Sequence, residues 1–394
     1  MNSTSTQIQF DNTAIAFSYK SDKELRKANF VFTLVNNPFI SKLATSAVKM
    51  ALSWHLPVKG MIRYTVFEHF CGGETIDECE KTVAKLHAFN VGTILDYSVE
   101  GEEIEEGFER TTQELLRTFD KAKDNAAIPF CVFKVTGIAA MNLLEKAQAN
   151  ETLAEEETKA FDRVKLRVDS ICQKAFDVGV PVLIDAEDSW VQNVIDGIAY
   201  AMMLKYNKQR AIVFNTLQFY RSDMFSKLEE AYKAAKDSNY FLGVKLVRGA
   251  YMEKERERAS KKNYPDPINP TKQASDNLFN KGLAFCINNI DSISIVCGSH
   301  NEESNHYLCQ LIKEYKIKQN DNRVWFAQLL GMSDNISFNL AKQGYNVAKY
   351  VPYGPVEAVM PYLLRRASEN TSVAGQSSRE LVLIRKELKR RNTN

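Results

Sequence analysis

The sequence predicts an α/β barrel of the (βα)8 TIM type, with an N-terminal helical arm before it and a basic helix at its C-terminus. Short β-branched or aromatic runs alternate with amphipathic helical stretches, the signature of parallel βα units. Eight such runs occur, with a helix-like segment in every gap, and they occupy about 260 residues, the size of one such barrel. The candidate strands are Val91–Tyr97, Pro129–Val135, Val180–Asp185, Ala211–Asn215, Phe241–Val247, Ile293–Cys297, Val324–Ala327 and Asn346–Val351. A ninth candidate, Met61–Phe67, is expected to lie outside the barrel. A doubly wound open sheet is the competing architecture. It usually carries a glycine-rich phosphate loop after its first strand, and neither G-x-G-x-x-G nor a Walker pattern occurs here.

Residues 1–60 are assigned to the arm and 61–394 to the barrel with its terminal helix. From Ser21 to Ser53 the apolar residues Leu25, Phe30, Phe32, Leu34, Leu43, Val48 and Leu52 recur at mixed helical spacing, punctuated by Pro38 and Pro57. Asn263–Thr271 holds three prolines and is expected to be an extended loop between the fifth and sixth strands. Leu381–Arg391 is a basic amphipathic helix.

The 51 basic and 49 acidic residues of the 394-residue chain nearly cancel, leaving a formal charge of +2. That argues against nucleic-acid binding, which needs a basic face. The seven cysteines contain no Cys-x-x-Cys pair and no zinc-ligand spacing, so they read as reduced thiols and no metal is expected. Met1–Tyr19 has neither a basic stretch followed by an apolar core nor an arginine-rich composition. No apolar run reaches the roughly 18 residues that a membrane span needs. The expectation is a cytoplasmic protein.

In such a barrel, chemistry takes place at the C-terminal ends of the strands. Polar residues close almost every apolar run. They are Lys134, Asp185, Asn215 with Gln218, Lys245 with Arg248-Gly249-Ala250-Tyr251, Gly298-Ser299-His300-Asn301, and Tyr350. Singly, a lysine or aspartate there is often a structural ion pair, and a lone histidine is usually a satisfied hydrogen-bonding group. Together they suggest a site. After Pro355, the stretch Tyr362-Leu363-Leu364-Arg365-Arg366-Ala367-Ser368-Glu369-Asn370 places Arg365 and Glu369 on one helix face, with Arg366 about 100° round. Arginine grips a carboxylate through two parallel hydrogen bonds, which lysine cannot do. The pair therefore suggests an anion clamp, against the plainer reading of a solvated charged helix.

The segments Phe133-Lys134-Val135-Thr136-Gly137, Leu183-Ile184-Asp185-Ala186-Glu187, Lys245-Leu246-Val247-Arg248-Gly249-Ala250-Tyr251, Ser299-His300-Asn301 and Tyr362-Leu363-Leu364-Arg365-Arg366-x-x-Glu369-Asn370 resemble proline dehydrogenase, in that family's order, from about Tyr64 to the C-terminus. Phe67-Glu68-His69-Phe70, Ile94-Leu95-Asp96-Tyr97 and Pro267-Ile268-Asn269-Pro270-Thr271 look like its mitochondrial-type branch. The resemblance implies an FAD-dependent oxidation of L-proline to 1-pyrroline-5-carboxylate, with electrons passed to a membrane quinone. It implies that Arg365 and Arg366 hold the proline carboxylate, with Glu369 orienting one guanidinium. Lys134 would stand close to the substrate, and Tyr251 and Tyr350 would pack on its ring. Asp185, Ala186, Gln218, Lys245, Arg248, Gly249, Ala250, Thr271, Ser299 and His300 would lie at the flavin. Lys134, Asp185, Lys245, Arg365 and Arg366 form the expected catalytic set.

The basic terminal helix around Arg385, Lys386, Lys389, Arg390 and Arg391 could meet an anionic bilayer as a peripheral contact. Its plainer reading is a helix packed through Leu383 and Leu388. The rival functions are hydroxyproline dehydrogenase, a Schiff-base aldolase using Lys134 or Lys245, and a non-catalytic binding barrel. In the family, a tyrosine at the position of Tyr350 goes with unsubstituted proline.

Overall fold

The computed structural model describes residues 8–35, 60, 63–99, 103–363 and 376–393. Eight parallel strands close into a barrel in sequence order. They are β1 (Gly92–Tyr97), β2 (Phe130–Phe133), β3 (Val182–Ile184), β4 (Val213–Gln218), β5 (Leu242–Val247), β6 (Ile293–Gly298), β7 (Val324–Leu329) and β8 (Val347–Tyr353). The helices in chain order are α1 (Thr13–Ala16), α2 (Asp22–Val35), α3 (Glu80–His87), α4 (Glu105–Ala122), α5 (Met141–Gln148), α6 (Glu155–Val178) and α7 (Ser189–Tyr206). They continue with α8 (Met224–Asp237), α9 (Met252–Lys262), α10 (Lys272–Asn288), α11 (Glu302–Glu314), α12 (Asp334–Lys342) and α13 (Gln376–Thr393). Every predicted strand is present. β4 starts later than its predicted bound and runs on to Gln218, and β8 runs on to Tyr353. The predicted end of β4 fell short because polar Asn215 was read as a strand stop, whereas Asn215–Gln218 continue the ladder; at β8, Pro352 and Tyr353 extend the pairing with β1.

Met61–Phe67 departs from the expectation of an extended run. Residues 61 and 62 lie outside the described set, and Arg63–Phe67 is a π-helical turn leading directly into a helical turn, Glu68–Phe70. Phe67 and Phe70 are both buried, one helical turn apart. Amphipathic spacing overrides the strand propensity of aromatic and β-branched residues here.

The chain divides into two compact units, one made of residues 1–100 and 328–394, the other of 101–327. In the first, β1 pairs with β8 so that Ile94 stands opposite Tyr350. The arm is part of this unit's core. Ala16, Phe17, Leu25, Ala28, Val31 and Phe32 share one apolar cluster with Val356, Met360 and Leu363 and with Leu381, Leu383 and Ile384 of α13. The basic side chains of α13 also turn toward the arm. Arg385 donates to Asn29 and Thr33, Lys386 to the Asp11 carbonyl, and Arg391 to Asp22 and the Phe17 and Lys20 carbonyls. These contacts support the packed-helix reading. Among the described residues, no helix is long and apolar enough to cross a membrane.

Under that apolar cluster lies a buried ionic node. Lys349 of β8 has a fully buried side chain and donates to the Leu329 and Met332 carbonyls and, at 2.8 Å, to Asp334. The other Asp334 oxygen accepts from Lys20 at 2.8 Å and from the Tyr19 hydroxyl at 2.7 Å. Burial alone would push the Asp334 carboxyl up, but Lys20 and Lys349 hold it well below the carboxylate range. Glu380 of α13 accepts the backbone N–H of Ser333, and burial plus the nearby Asp334 charge push its carboxyl up.

In the second unit, α4 lays a buried stripe against β2. On α4 the stripe is Phe108, Thr111, Thr112, Leu115, Thr118, Phe119 and Ala122, at three- and four-residue spacing, with Glu105 and Glu106 in the first turn where the helix dipole favours them. The sheet register aligns Thr216 of β4, Lys245 of β5 and Val296 of β6 in one lateral row. All seven cysteines of the chain are free and buried.

Asp334→Asn should leave two buried ammonium groups without their anion and lower stability by about 3–5 kcal/mol in urea unfolding at pH 7. Because the folded Glu380 carboxyl is raised, its contribution is fully present below the unfolded carboxyl pKa of about 4.3 and is lost as pH rises through the folded value. Glu380→Gln should therefore flatten the fall in melting temperature between pH 5 and about 8.

Candidate active site

The C-terminal ends of β2 to β6 all lie in the second unit, and each delivers a polar side chain named by the sequence. Lys134 follows β2 directly and opens a 3-10 turn, Val135–Gly137. Asp185 follows β3, and its backbone N–H donates to the Phe133 carbonyl at 2.9 Å, which ties the ends of β2 and β3 together. Lys245 of β5 donates to the Asp185 carboxylate, and the side chains are 5% and 15% exposed respectively. A buried lysine is costly alone, so the pairing with half-buried Asp185 is what permits it.

Gln218 ends β4. It is buried, and its side-chain oxygen has no hydrogen-bond partner among the described residues. Side chains alternate along a strand, so Gln218 stands on the same face as Thr216, the lateral neighbour of Lys245. An unsatisfied amide oxygen in that position costs about 1–3 kcal/mol unless a donor arrives.

Arg248 follows β5 and is held at every nitrogen. Its Nε donates to Asp276 at 2.6 Å, Nη1 to Ser299 Oγ at 2.9 Å and Nη2 to Ser304 Oγ at 2.8 Å, while the guanidinium lies 4.4 Å from the Phe279 ring centroid. Burial opposes ionisation of Asp276, but hydrogen bonds from Lys272 and Arg248 outweigh it and lower its pKa. Gly249 has φ +124°, and a Cβ there would stand 2.4 Å from the Tyr220 ring. This explains the glycine by close packing, without reference to any ligand. Gly249 and Ala250 are exposed, and Tyr251 is half-buried at the N-cap of α9.

Within Ser299-His300-Asn301, Ser299 accepts from Arg248, and Asn301 caps α11 by accepting the Ser304 N–H at 2.9 Å. His300 is half-buried between them, and Ala186 is half-buried after Asp185. Thr271 is exposed and caps α10 through its hydroxyl, which accepts the Ala274 N–H at 3.1 Å. The proline-rich stretch before it is a loop, tied to the β4 end by the Asn269 N–H donating to the Tyr220 carbonyl at 2.7 Å. In the first unit, Tyr350 of β8 is buried and its carbonyl accepts the Leu330 N–H. Arg365, Arg366 and Glu369 lie outside the described residues.

A family model described as proline dehydrogenase matches residues 79–379. The chain belongs to the proline dehydrogenase family. It is 34% identical to a protein of Dictyostelium discoideum named proline dehydrogenase 1, mitochondrial, over 99% of this chain and 76% of that protein. It is 33% identical to the carbapenem antibiotics biosynthesis protein CarD of Pectobacterium carotovorum, over 82% of this chain and 83% of that protein. The crystal structure of proline utilization A from Bdellovibrio bacteriovorus, inactivated by N-propargylglycine, superposes with a TM-score of 0.70 at 20% identity. That match covers 93% of this chain but only 37% of the larger protein, and at this identity it speaks for the fold alone.

Family membership accounts for the order of the strand-end motifs, but several supporting residues escaped the sequence reading. Asp276, Ser304 and Asn280, which accepts from Ser304 Oγ at 2.7 Å, complete the Arg248 cradle from α10 and α11. Glu255 of α9 accepts the backbone N–H and hydroxyl of Ser189, and so caps α7 from another helix. Neither arrangement leaves a spacing signal, because the partners come from different helices. Glu187 stands in the Leu183–Glu187 motif, and the resemblance implies no role for it.

Gly249→Ala should force either the Tyr220 ring or the backbone to shift, costing about 2–4 kcal/mol. Thermal or urea unfolding should show the loss, and Ala250→Gly should not reproduce it.

Proposed function

We propose that this protein oxidises L-proline to 1-pyrroline-5-carboxylate with FAD as cofactor, as the first step of proline breakdown. The observation that carries the reading is the cluster of paired cations on and after β5, buried Lys245 with Asp185 and half-buried Arg248 with Asp276, in a chain of this family. The unpartnered Gln218 amide oxygen fits a flavin, whose ring presents N–H donors and carbonyl acceptors. Gln218, Lys245, Arg248, Ser299 and His300 would hold it, with Ala186, Gly249, Ala250 and Thr271 nearby. When bound, FAD supplies the acceptor for the hydride that proline gives up.

This chain's own residues bind and orient the substrate. Arg365 and Arg366 grip the carboxylate by paired hydrogen bonds, with Glu369 orienting one guanidinium. Tyr251 and Tyr350 pack on the ring. Fixing the carboxylate in this way aims the reacting carbon, a proximity effect that contributes several kcal/mol. The cations of Lys134, Arg365 and Arg366 disfavour a protonated amine by like-charge repulsion. The neutral amine's lone pair then supports the cyclic imine that forms as hydride and proton leave. Lys245 and Arg248 supply positive charge that favours the reduced, anionic form of the cofactor.

Electrons are proposed to pass on to a quinone. Seven free thiols suit a reducing compartment, and we place the protein in the cytoplasm. The Dictyostelium relative is named as mitochondrial, so cell fractionation decides the compartment.

A purified yellow protein that bleaches when L-proline is added without oxygen is the expected result. A protein that stays colourless with added FAD would overturn the reading. One that bleaches with hydroxyproline but not proline would move the assignment to that substrate. Arg365→Ala and Arg366→Ala should each raise the proline KM by about ten- to a hundredfold, the effect of losing a charged hydrogen bond, with flavin still bound.

A further inference from the structure

We infer that Glu187 is a positioning residue of this site, fixing the turn that carries Lys134 and so setting where its ammonium group stands; this rests on the reaction proposed above. Glu187 is 4% exposed. One carboxylate oxygen accepts the backbone N–H of Thr136 at 2.9 Å, and the other accepts the Thr136 hydroxyl. Thr136 lies two residues after Lys134, in the middle of the 3-10 turn. A carboxylate fork therefore holds the turn by two bonds to its middle residue, and Lys134 is the residue that caps the turn.

The fork is itself anchored. The Glu187 N–H donates to Gln192 Oε1 at 2.7 Å, Gln192 Nε2 donates to Asp196 at 2.8 Å, and Asp196 also accepts from Asn215 of β4 at 2.8 Å. One chain of hydrogen bonds thus runs from the turn after β2, through the loop after β3 and helix α7, to β4.

Burying a carboxylate is expensive unless its oxygens are satisfied. Burial pushes Glu187 up to about 7, against the two Thr136 hydrogen bonds and the positive Lys134. A glutamine oxygen could still accept the Thr136 N–H, though more weakly than a carboxylate. Only a carboxylate accepts both Thr136 donors and also presents negative charge to Lys134. The two acids of Asp185-Ala186-Glu187 consequently divide the work. Asp185 pairs with Lys245, and Glu187 holds the turn bearing Lys134.

The test uses the purified flavin-loaded enzyme and Glu187→Gln, Thr136→Val, Thr136→Ser, Lys134→Met and the Glu187→Gln/Lys134→Met double variant. Glu187→Gln is expected to lower kcat/KM for proline about tenfold, roughly 1.4 kcal/mol, at unchanged flavin stoichiometry. Thr136→Ser, which keeps both donors, should retain more activity than Thr136→Val. If Glu187 acts through Lys134, the double variant is no worse than Lys134→Met alone; coupled residues are non-additive. A double variant whose loss is the product of the two single losses would overturn the inference, as would wild-type kinetics in Glu187→Gln.

One readout does not need proline. The rate at which acetic anhydride modifies Lys134, followed by mass spectrometry, should change several-fold in Glu187→Gln while that of Lys233, exposed on α8, stays the same. An altered rate in a protein that proline does not reduce would retire the proposed reaction and keep the positioning role. An unaltered rate would retire the positioning role. Should Glu187→Gln fail to fold, Thr136→Val carries the same measurements, since it removes a single donor from the fork.

Discussion

A charge withdrawn from water needs a partner, and that constraint shapes both units of this protein. A parallel barrel buries its strands on both faces, so an ionic side chain survives there only when another group neutralises it. Lys349 is fully buried and persists because Asp334 and two carbonyls receive it. Lys245 persists because Asp185 does the same at the end of β3. Neither pair is a gain in stability by itself. Replacing a buried ion pair with apolar residues is often neutral or stabilising, whereas removing one partner is costly. Their persistence therefore points to a use for the charge.

The two pairs are used differently. In the first unit, Asp334 gathers Lys20 and Tyr19 from the arm, Lys349 from β8 and its own helix into one node. Its effect is to fix the N-terminal segment to the strand that bears Tyr350. In the second unit the charges sit at strand ends. Arg248 is clamped by an aspartate and two serines, which removes rotamer freedom from a side chain otherwise rich in it. A group held so firmly costs little further entropy when a ligand arrives, which is the value of preorganisation.

Much of this was legible in the sequence, and for identifiable reasons. The eight strands were visible because short runs bounded by helical segments have their own period, and the absence of a glycine-rich phosphate loop favoured a closed barrel over an open sheet. The site residues were visible because polar side chains closing apolar runs are anomalous. The supporting shell was not. Asp276, Ser304 and Glu255 look like ordinary polar residues of solvated helices, and only their approach to Arg248 or Ser189 marks them. Thr271 and Asn301 were read for their motifs, while the structure gives both a helix-capping job. Gly249 was read as a ligand contact, and the Tyr220 ring supplies a packing reason for it.

Alone, the sequence determined the barrel, the strand count and the polar residues that end the strands. All of these are local patterns, set by side-chain chemistry over a few residues. Tertiary structure decided which charges meet, that the arm shares a core with the terminal helix, and that Glu187 grips the turn after Lys134. Those outcomes depend on groups far apart in the chain reaching hydrogen-bond distance. No periodicity or spacing encodes that, because it is the sum of all the packing that lies between them.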